Sequence, residues 1–369
     1  MKIKINTRVA LLHWDTKIGG ISKSIHSLAA RLRRRPSTIV SVFLKRQNGG
    51  THNADTNGVR YYYFSKNIYS GRKIQFALWL LYKLLITKPD YIVCYLNRFA
   101  LVAVIYQSFV CLLNRKPIII VGQVVVGSTY LRQYESWYWK PFLIRCFARA
   151  HGVIVNTNAI AEDLRQNFFV PSGKIYLIKN WVAPVKRVHT MKKRFDCIFV
   201  GRLSPEKGIE TLLDTAVYCQ TKIPGFSLAI IGDGALKGWM MKDVQKRGLA
   251  PNISYLGYQK NPRKFIRQAR LLLLPSYNEG LPMVILEGYS VGIPAAVTPF
   301  LGANEAVEHN KTGIIVSRRD YSEAVFRLLR DAKKLTGMGK AARLKAKNDF
   351  SMKNLDLFVK TIFATRRAS

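Results

Sequence analysis

The chain has 369 residues, 49% of them hydrophobic and 22% charged, enough apolar material for two cores of roughly 150 to 200 residues each. Lysine and arginine number 59 against 21 acids, a net charge of +38 that far exceeds what solubility needs and points to an anionic partner such as a membrane surface or nucleic acid. The five cysteines, Cys94, Cys111, Cys146, Cys197 and Cys219, lie scattered in apolar stretches, which excludes metal-site spacing and fits a reducing compartment.

Residues 1 to 184 carry 27 basic and 6 acidic side chains, against 32 and 15 in residues 185 to 369. The first half is nearly stripped of acids. Its opening, "MKIKINTRVALLHWD", lacks the continuous apolar segment and cleavage site of a signal peptide. "RVALLH" reads as a strand ending near His13, "WDTKIGG" as a loop carrying Gly19 and Gly20, and "ISKSIHSLAARL" as a helix with Ile21, Ile25, Leu28, Ala29 and Leu32 on one face. Residues 71 to 89, "GRKIQFALWLLYKLLITKP", have an apolar body with Trp79 and Tyr82 and basic residues at both ends. Such a segment is either an ordinary buried helix or one that lies in a lipid interface.

The strand "DYIVCYL" leads into the longest apolar stretch, Phe99 to Leu113, which is interrupted by Gln107 and Ser108 and is shorter than the ~18 residues of a membrane span. "KPIIIVGQ" reads as a strand, and "HGVIVNT" with "AIAEDLRQNF" as a strand and a helix. Strands alternating with helices imply parallel sheets in layered α/β domains. "NWVAPVKRVHTMKKR", residues 180 to 194, loses periodicity and marks the linker. A second α/β series follows: strands in "FDCIFVGRL", "FSLAIIGDG", "ISYLG" and "ARLLLLPS", and helices in "GIETLLDTAVYC" and "PMVILEGYS". The tail from Ser351 to Phe363 presents an apolar helical face.

Ligands of open α/β sheets gather at strand-end loops, where helix N-termini and free amides converge. Gly19 and Gly20 would let backbone approach an anion, or would simply make a tight turn. "VGRLSPEKG" delivers Arg202 and, five residues on, Lys207, two cations suited to a diphosphate unless they are ordinary surface charges. "SYNEGLPMVILEG" places Glu279 in a loop, Pro282 in the first turn of a helix and Glu287 inside that helix. The pair reads either as one capping and one buried acid, or as ligands for sugar hydroxyls beside the amides of Leu281, Met283 and Val284.

In order along the chain, "GG", "GRLSPEKG", "GDG" at 232 to 234, "SYNEGLPMVILEG", "VGIPAAVT" and "GANEAVEHNKTGIIV" resemble the retaining glycosyltransferases of family 4. The likeness spans nearly the whole chain and is strongest from 196 to 317. It implies a GT-B fold: two Rossmann-like parallel-sheet domains, 1–184 for the acceptor and 185–350 for a nucleotide sugar, facing a central cleft. A helix at 351–369 would return to the first domain. By the resemblance, Arg202, Lys207 and Glu279 are catalytic: the two cations hold the diphosphate and Glu279 contacts the donor sugar. Donor binding would further involve Gly20, Gly257, Tyr258, Gly280, Leu281, Pro282, Met283, Val284 and Glu287, the last on the ribose hydroxyls. Many relatives carry a histidine after the strand that here ends in Gly122 and Gln123. Either that histidine's role is absent or Gln123 contacts the sugar by hydrogen bonding, and His13, at the first strand end, is a further candidate or else a structural or solvated histidine.

The reaction implied is transfer of a sugar, from a UDP-sugar by preference, to a glycan or lipid-linked acceptor in cell-envelope polysaccharide or lipopolysaccharide synthesis. No cofactor is expected beyond the nucleotide sugar as co-substrate, and no metal, since no Asp-x-Asp stands beside a strand. The expected location is cytoplasmic, peripheral on the inner face of the inner membrane. Two alternatives share parts of the pattern. A GT-B nucleotide-sugar epimerase would be expected to show additional acids and a histidine in the cleft. A non-enzymatic basic protein binding nucleic acid or membrane would, for nucleic acid, need a recognised module, and none is visible.

Overall fold

A computed structural model describes residues 6–13, 20–45, 54–56, 58–64, 73–95, 97–123, 140–185 and 193–365. The chain forms two α/β units, one of Met1–Asn180 with Lys353–Ser369 and one of Trp181–Met352.

The first unit holds an eight-stranded sheet of β1 (Thr7–Leu12), β2 (Thr38–Lys45), β3 (Ala54–Thr56), β4 (Val59–Phe64), β5 (Tyr91–Tyr95), β6 (Ile118–Gln123), β7 (Gly152–Val155) and β8 (Ile175–Leu177), in the order β3-β4-β2-β1-β5-β6-β7-β8. Neighbouring strands are parallel except β3 with β4. Only Asn57 and Gly58 separate those two, and so short a connection permits only an antiparallel return. Its helices are α1 (Gly20–Arg33), α2 (Lys73–Thr87), α3 (Asn97–Cys111), α4 (Lys140–Arg149) and α5 (Asn158–Phe168). β5, "YIVCY", is buried at every position, as a strand covered by helices on both faces must be. α2, α3, α4 and α5 pack in succession.

The second unit holds six strands, all parallel: β9 (Phe195–Val200), β10 (Leu228–Ile231), β11 (Ile253–Gly257), β12 (Ala269–Leu274), β13 (Ala295–Val297) and β14 (Gly313–Ile315), ordered β11-β10-β9-β12-β13-β14. α6 (Ile209–Gln220), α7 (Lys237–Lys246), α8 (Arg263–Ile266), α9 (Met283–Ser290), α10 (Ala303–Ala306), α11 (Tyr321–Arg330) and α12 (Ala332–Asp349) surround it. In each unit the first strand has neighbours reached in opposite directions along the sheet. The strand order therefore reverses beside β1 in one unit and between β9 and β12 in the other. Loops diverge at such a reversal and open a crevice at the carboxyl ends of the strands.

The last helix, α13 (Met352–Ala364), belongs to the first unit from Lys353 onward. Asp356 accepts from Arg31 Nε at 2.5 Å, Phe358 stacks on Tyr95 with centroids 6.3 Å apart, and Phe363 meets Tyr91 edge-on at 5.0 Å under the Arg35 guanidinium. The exposed ion pair contributes little. The rings hold the helix. Phe358→Ala is expected to destabilise the first unit by about 3–5 kcal/mol, seen as a lower denaturant midpoint. Asp356→Ala is expected to cost about 1 kcal/mol or less, and the reverse ranking would show that charge holds the helix.

Candidate functional site

Both motif loops of the second unit flank its reversal point. β9 ends at Val200 and leads through Gly201 and exposed Arg202 into a 3-10 turn, Pro205–Lys207. β12 ends before Ser276 and leads through Glu279 to α9. The two loops meet at Gly208, whose φ of 67° suits glycine and whose hypothetical Cβ would lie 2.0 Å from the Pro275 carbonyl oxygen. No side chain fits there. Tyr277 N donates to the Glu206 carbonyl at 2.8 Å and completes the join.

That join brings Lys207 to Glu279. Their Nζ and Oε1 are 2.5 Å apart, with side chains only 20% and 14% exposed. Ser276, fully buried, donates its hydroxyl to the same Oε1 at 3.1 Å, and Thr298 in turn donates to the Ser276 carbonyl at 2.6 Å. Glu206 accepts from the Ser204 hydroxyl at 2.6 Å. Sequence reasoning named the cation and the carboxylate but not this support. Ser276 was findable, since Ser-x-x-Glu is the spacing at which a serine and an acid bond locally. Thr298 follows another strand and had no local signal.

The two "GDG" glycines serve the same loop. A Cβ on Gly232 would lie 1.8 Å from the Gly201 carbonyl oxygen, and one on Gly234 2.3 Å from that of Leu203. Leu203 N donates to the Asp233 carbonyl at 3.0 Å. Backbone therefore packs on backbone beneath Arg202. Gly257, with φ 62°, ends β11, and its carbonyl accepts from Gly232 N at 2.9 Å. Tyr258 beside it is half exposed, and burial of its remaining surface raises its hydroxyl above the usual pKa.

Pro282 stands at the N-cap of α9, with ψ 120°, one residue earlier than the first turn expected for it. No side chain caps that helix, so the amides of Met283 and Val284 point out of an uncapped N-terminus with a positive dipole end. Leu281 is buried, Gly280 half-buried, and Glu287 is buried within the helix. Arg318 lies over the Tyr277 ring at 3.2 Å and braces the loop from the β14 side. Tyr321, fully buried, accepts from Leu274 N and donates to the Ala296 carbonyl. Other motif residues serve the fold. Gly313 would place a Cβ 2.0 Å from the Ala295 carbonyl, so the β13 to β14 pairing requires glycine, and Glu308 is tied to Lys345 and Lys311 at 2.7 Å each.

In the first unit, Gly20 begins α1 after the reversal strand β1, and His13 is buried at the end of that strand. Gln123 ends β6, and its side chain lies outside the described residues, as do Gly19 and the rest of the loop before α1. Gly122 has a packing reason: a Cβ there would lie 2.9 Å from Tyr95, whose ring is held against Phe358. A histidine at 122 would collide with it. Among the described residues no three histidine, cysteine or acidic side chains gather as a metal site.

The sequence model of the group 1 glycosyl transferases matches residues 185–345, and that of glycosyltransferase family 4 matches 18–186. A galactosyltransferase of Escherichia coli, named for transfer from UDP-Gal to α-D-GlcNAc-diphosphoundecaprenol, is 29% identical over 229 residues, 57% of this chain and 58% of that one. Other curated relatives are matched over a smaller part of their length, 26% and 22% for the first two. Among solved structures, sucrose-phosphate synthase of Thermosynechococcus elongatus superposes with a TM-score of 0.81 at 17% identity, covering 98% of this chain and 100% of that one. The Anabaena protein HepE, in complex with UDP and glucose, does so with a TM-score of 0.79, also at 17% identity and over 98% and 100%. The chain belongs to the group 1 glycosyltransferases of family 4 and has the GT-B fold.

Two glycines test the loop junction. Gly225 has φ 68° with nothing within 4 Å of a hypothetical Cβ, so Gly225→Ala is expected to cost only the left-handed conformation, about 1–2 kcal/mol. Gly208→Ala adds a collision with the Pro275 carbonyl. It is expected to cost clearly more in denaturant titration and to weaken nucleotide binding by calorimetry, and equal costs would show that the close approach to the Pro275 carbonyl does not constrain this position.

Proposed function

We propose that this protein is a retaining hexosyltransferase that moves a sugar from a UDP-sugar to a glycan or lipid-linked acceptor of the cell envelope, in polysaccharide or lipopolysaccharide synthesis. The observation that carries this reading is the Lys207 to Glu279 pair, held at the strand-order reversal beside Arg202 and the uncapped N-terminus of α9. The E. coli relative is named for a UDP-sugar donor and a diphosphoundecaprenol-linked acceptor, and HepE holds UDP and glucose.

The chemistry follows from charge. Breaking the bond between sugar and diphosphate leaves negative charge on the departing oxygen, and groups fixed in advance around that position lower the barrier most. Arg202 forks onto the diphosphate, Lys207 adds a point charge, and the amides of Met283 and Val284, after Gly280, Leu281 and Pro282, face the phosphate. Lys207 has three donor protons, so it grips a phosphate oxygen while keeping Glu279. Lys207 and Ser276 both bind Oε1 of Glu279, and Oε2 is directed to a hydroxyl of the donor sugar. Glu287 accepts from the ribose hydroxyls, and backbone at Gly257 and Tyr258 lies along the base. Gly20, at the start of α1, is read as a donor-binding position of the first unit. Attack and departure occur on one face of the sugar with the leaving phosphate as base, so this reading assigns no protein base and no metal ion. The excess of cations motivates a peripheral position on the cytoplasmic face of the inner membrane.

Release of nucleoside diphosphate across a panel of nucleotide sugars tests the reading; silence with every common donor and acceptor fraction would end it. Within it, Glu287→Ala is expected to raise the donor KM roughly 10- to 100-fold with little change in kcat, as loss of a charged hydrogen bond predicts. Glu279→Ala and Lys207→Ala are expected to lower kcat about 10²- to 10³-fold, and the opposite split would exchange the two carboxylate roles.

A further inference from the structure

α2 is apolar on two opposite faces. Phe76, Leu80 and Leu84 are buried against the first unit's core, whereas Ile74, Leu78, Tyr82, Leu85 and Ile86 are between 39% and 71% exposed. The exposed set recurs at helical spacing and forms one stripe turned away from the sheet. α3 and the turn after it repeat the arrangement. Phe99, Ala103, Tyr106 and Val110 are buried, while Ile105, Phe109, Leu112 and Leu113 are between 48% and 83% exposed. The two helices pack on one another, so the stripes belong to one side of the unit. An apolar patch of this extent on a surface layer marks a place of contact.

The charges around it choose the partner. α2, α3 and α4 contain no acidic residue. Lys83 lies on α2 beside Tyr82, Lys88, Arg115 and Lys116 follow the helix ends, and Arg149 of α4 donates to Ser108 of α3. Asp90 lies near this rim, 3.7 Å from Arg115. A second copy placed on this face would set cation against cation with almost no acid to answer them. An anionic bilayer offers hydrocarbon to the stripes and phosphate to the rim. α2 has 15 residues, ~22 Å of helix against a hydrocarbon core of ~30 Å, and no described helix is long and apolar enough to cross. The helices must lie in the surface.

We propose that the outer stripes of α2 and α3 form a two-helix ridge that seats this protein in the interface of an anionic bilayer, its basic rim against the headgroups. The proposal rests on the peripheral-membrane reading above and deepens it by naming the face.

Cys111, at the end of α3, is the exposed cysteine, whereas the other four are buried. A polarity-sensitive thiol label on the full chain therefore reports from the end of α3, next in sequence to exposed Leu112 and Leu113. With phosphatidylglycerol-rich vesicles the label is expected to shift to the blue as the protein co-sediments, and with pure phosphatidylcholine it is expected to stay unshifted. Leu78→Glu with Phe109→Glu is expected to weaken co-sedimentation at least about tenfold, with nucleoside diphosphate release on a water-soluble acceptor retained. Leu344→Glu, an equally exposed leucine on α12, is expected to bind as the parent does. If the parent co-sediments without a blue shift, or the double variant binds undiminished, another face docks and only this inference falls. If the parent ignores anionic vesicles, the peripheral reading falls with it. A dimer in sedimentation equilibrium that the double variant abolishes would assign the ridge to a second copy and overturn the proposal.

Discussion

Gly208 and the carbonyl of Pro275 are so close that no β-carbon fits between them, and the arrangement of the second unit's site follows from that contact. Parallel strands on either side of a strand-order reversal send their loops apart. Here the loop after β9 is drawn back onto the loop after β12 by backbone alone, at Gly208 and at Tyr277 N with the Glu206 carbonyl. Gly232 and Gly234 apply the same device from β10. The glycine-rich motifs of this half thus act first as joints between carbonyls, and their effect on any ligand comes through the loops they hold.

Once the loops meet, electrostatics dictates the rest. A lysine and a glutamate mostly withdrawn from water must pair, because either one left alone would bear an uncompensated charge. Ser276 and Thr298 extend that pair into the sheet, so the carboxylate is held by hydrogen bonds that start from a neighbouring strand. Hydrogen bonds from Lys207 and Ser276 thus fix the position of the carboxylate within the second unit. Arg202 is the complement: exposed, outside this network, and carried on a loop whose backbone is pinned.

In the first unit the strand-order reversal and the exposed apolar stripes lie on different elements. Its strand-end loops begin at β1 beside the reversal, while the apolar stripes lie on the outward sides of α2 and α3. Acid depletion and exposed leucines occur on the same helices. Either feature alone has ordinary explanations, and their coincidence on one face is what makes the surface specific. The C-terminal helix packs on this unit through rings, Phe358 on Tyr95 and Phe363 on Tyr91, and the Tyr95 ring in turn explains why position 122 is glycine.

Local pattern was sufficient for the elements. The unbroken apolar run "YIVCY" reads as a buried strand from its shortness and its aromatic and β-branched residues, and the 3.6-residue recurrence in "GIETLLDTAVYC" as a helix with one buried side. Motif order was sufficient for the family. The antiparallel edge β3 and the N-cap position of Pro282 depended on short connections and on a single dihedral, which propensity resolves poorly. The pairing of Lys207 with Glu279 was beyond sequence reasoning for a different reason. Seventy-two positions separate the two, and their meeting depends on two carbonyl contacts and a strand crossover. Likewise the sequence of α2 left open whether its apolar body was all core. Burial is a property of the packed unit, and packing covered Phe76, Leu80 and Leu84 while leaving Ile74, Leu78 and Tyr82 facing out.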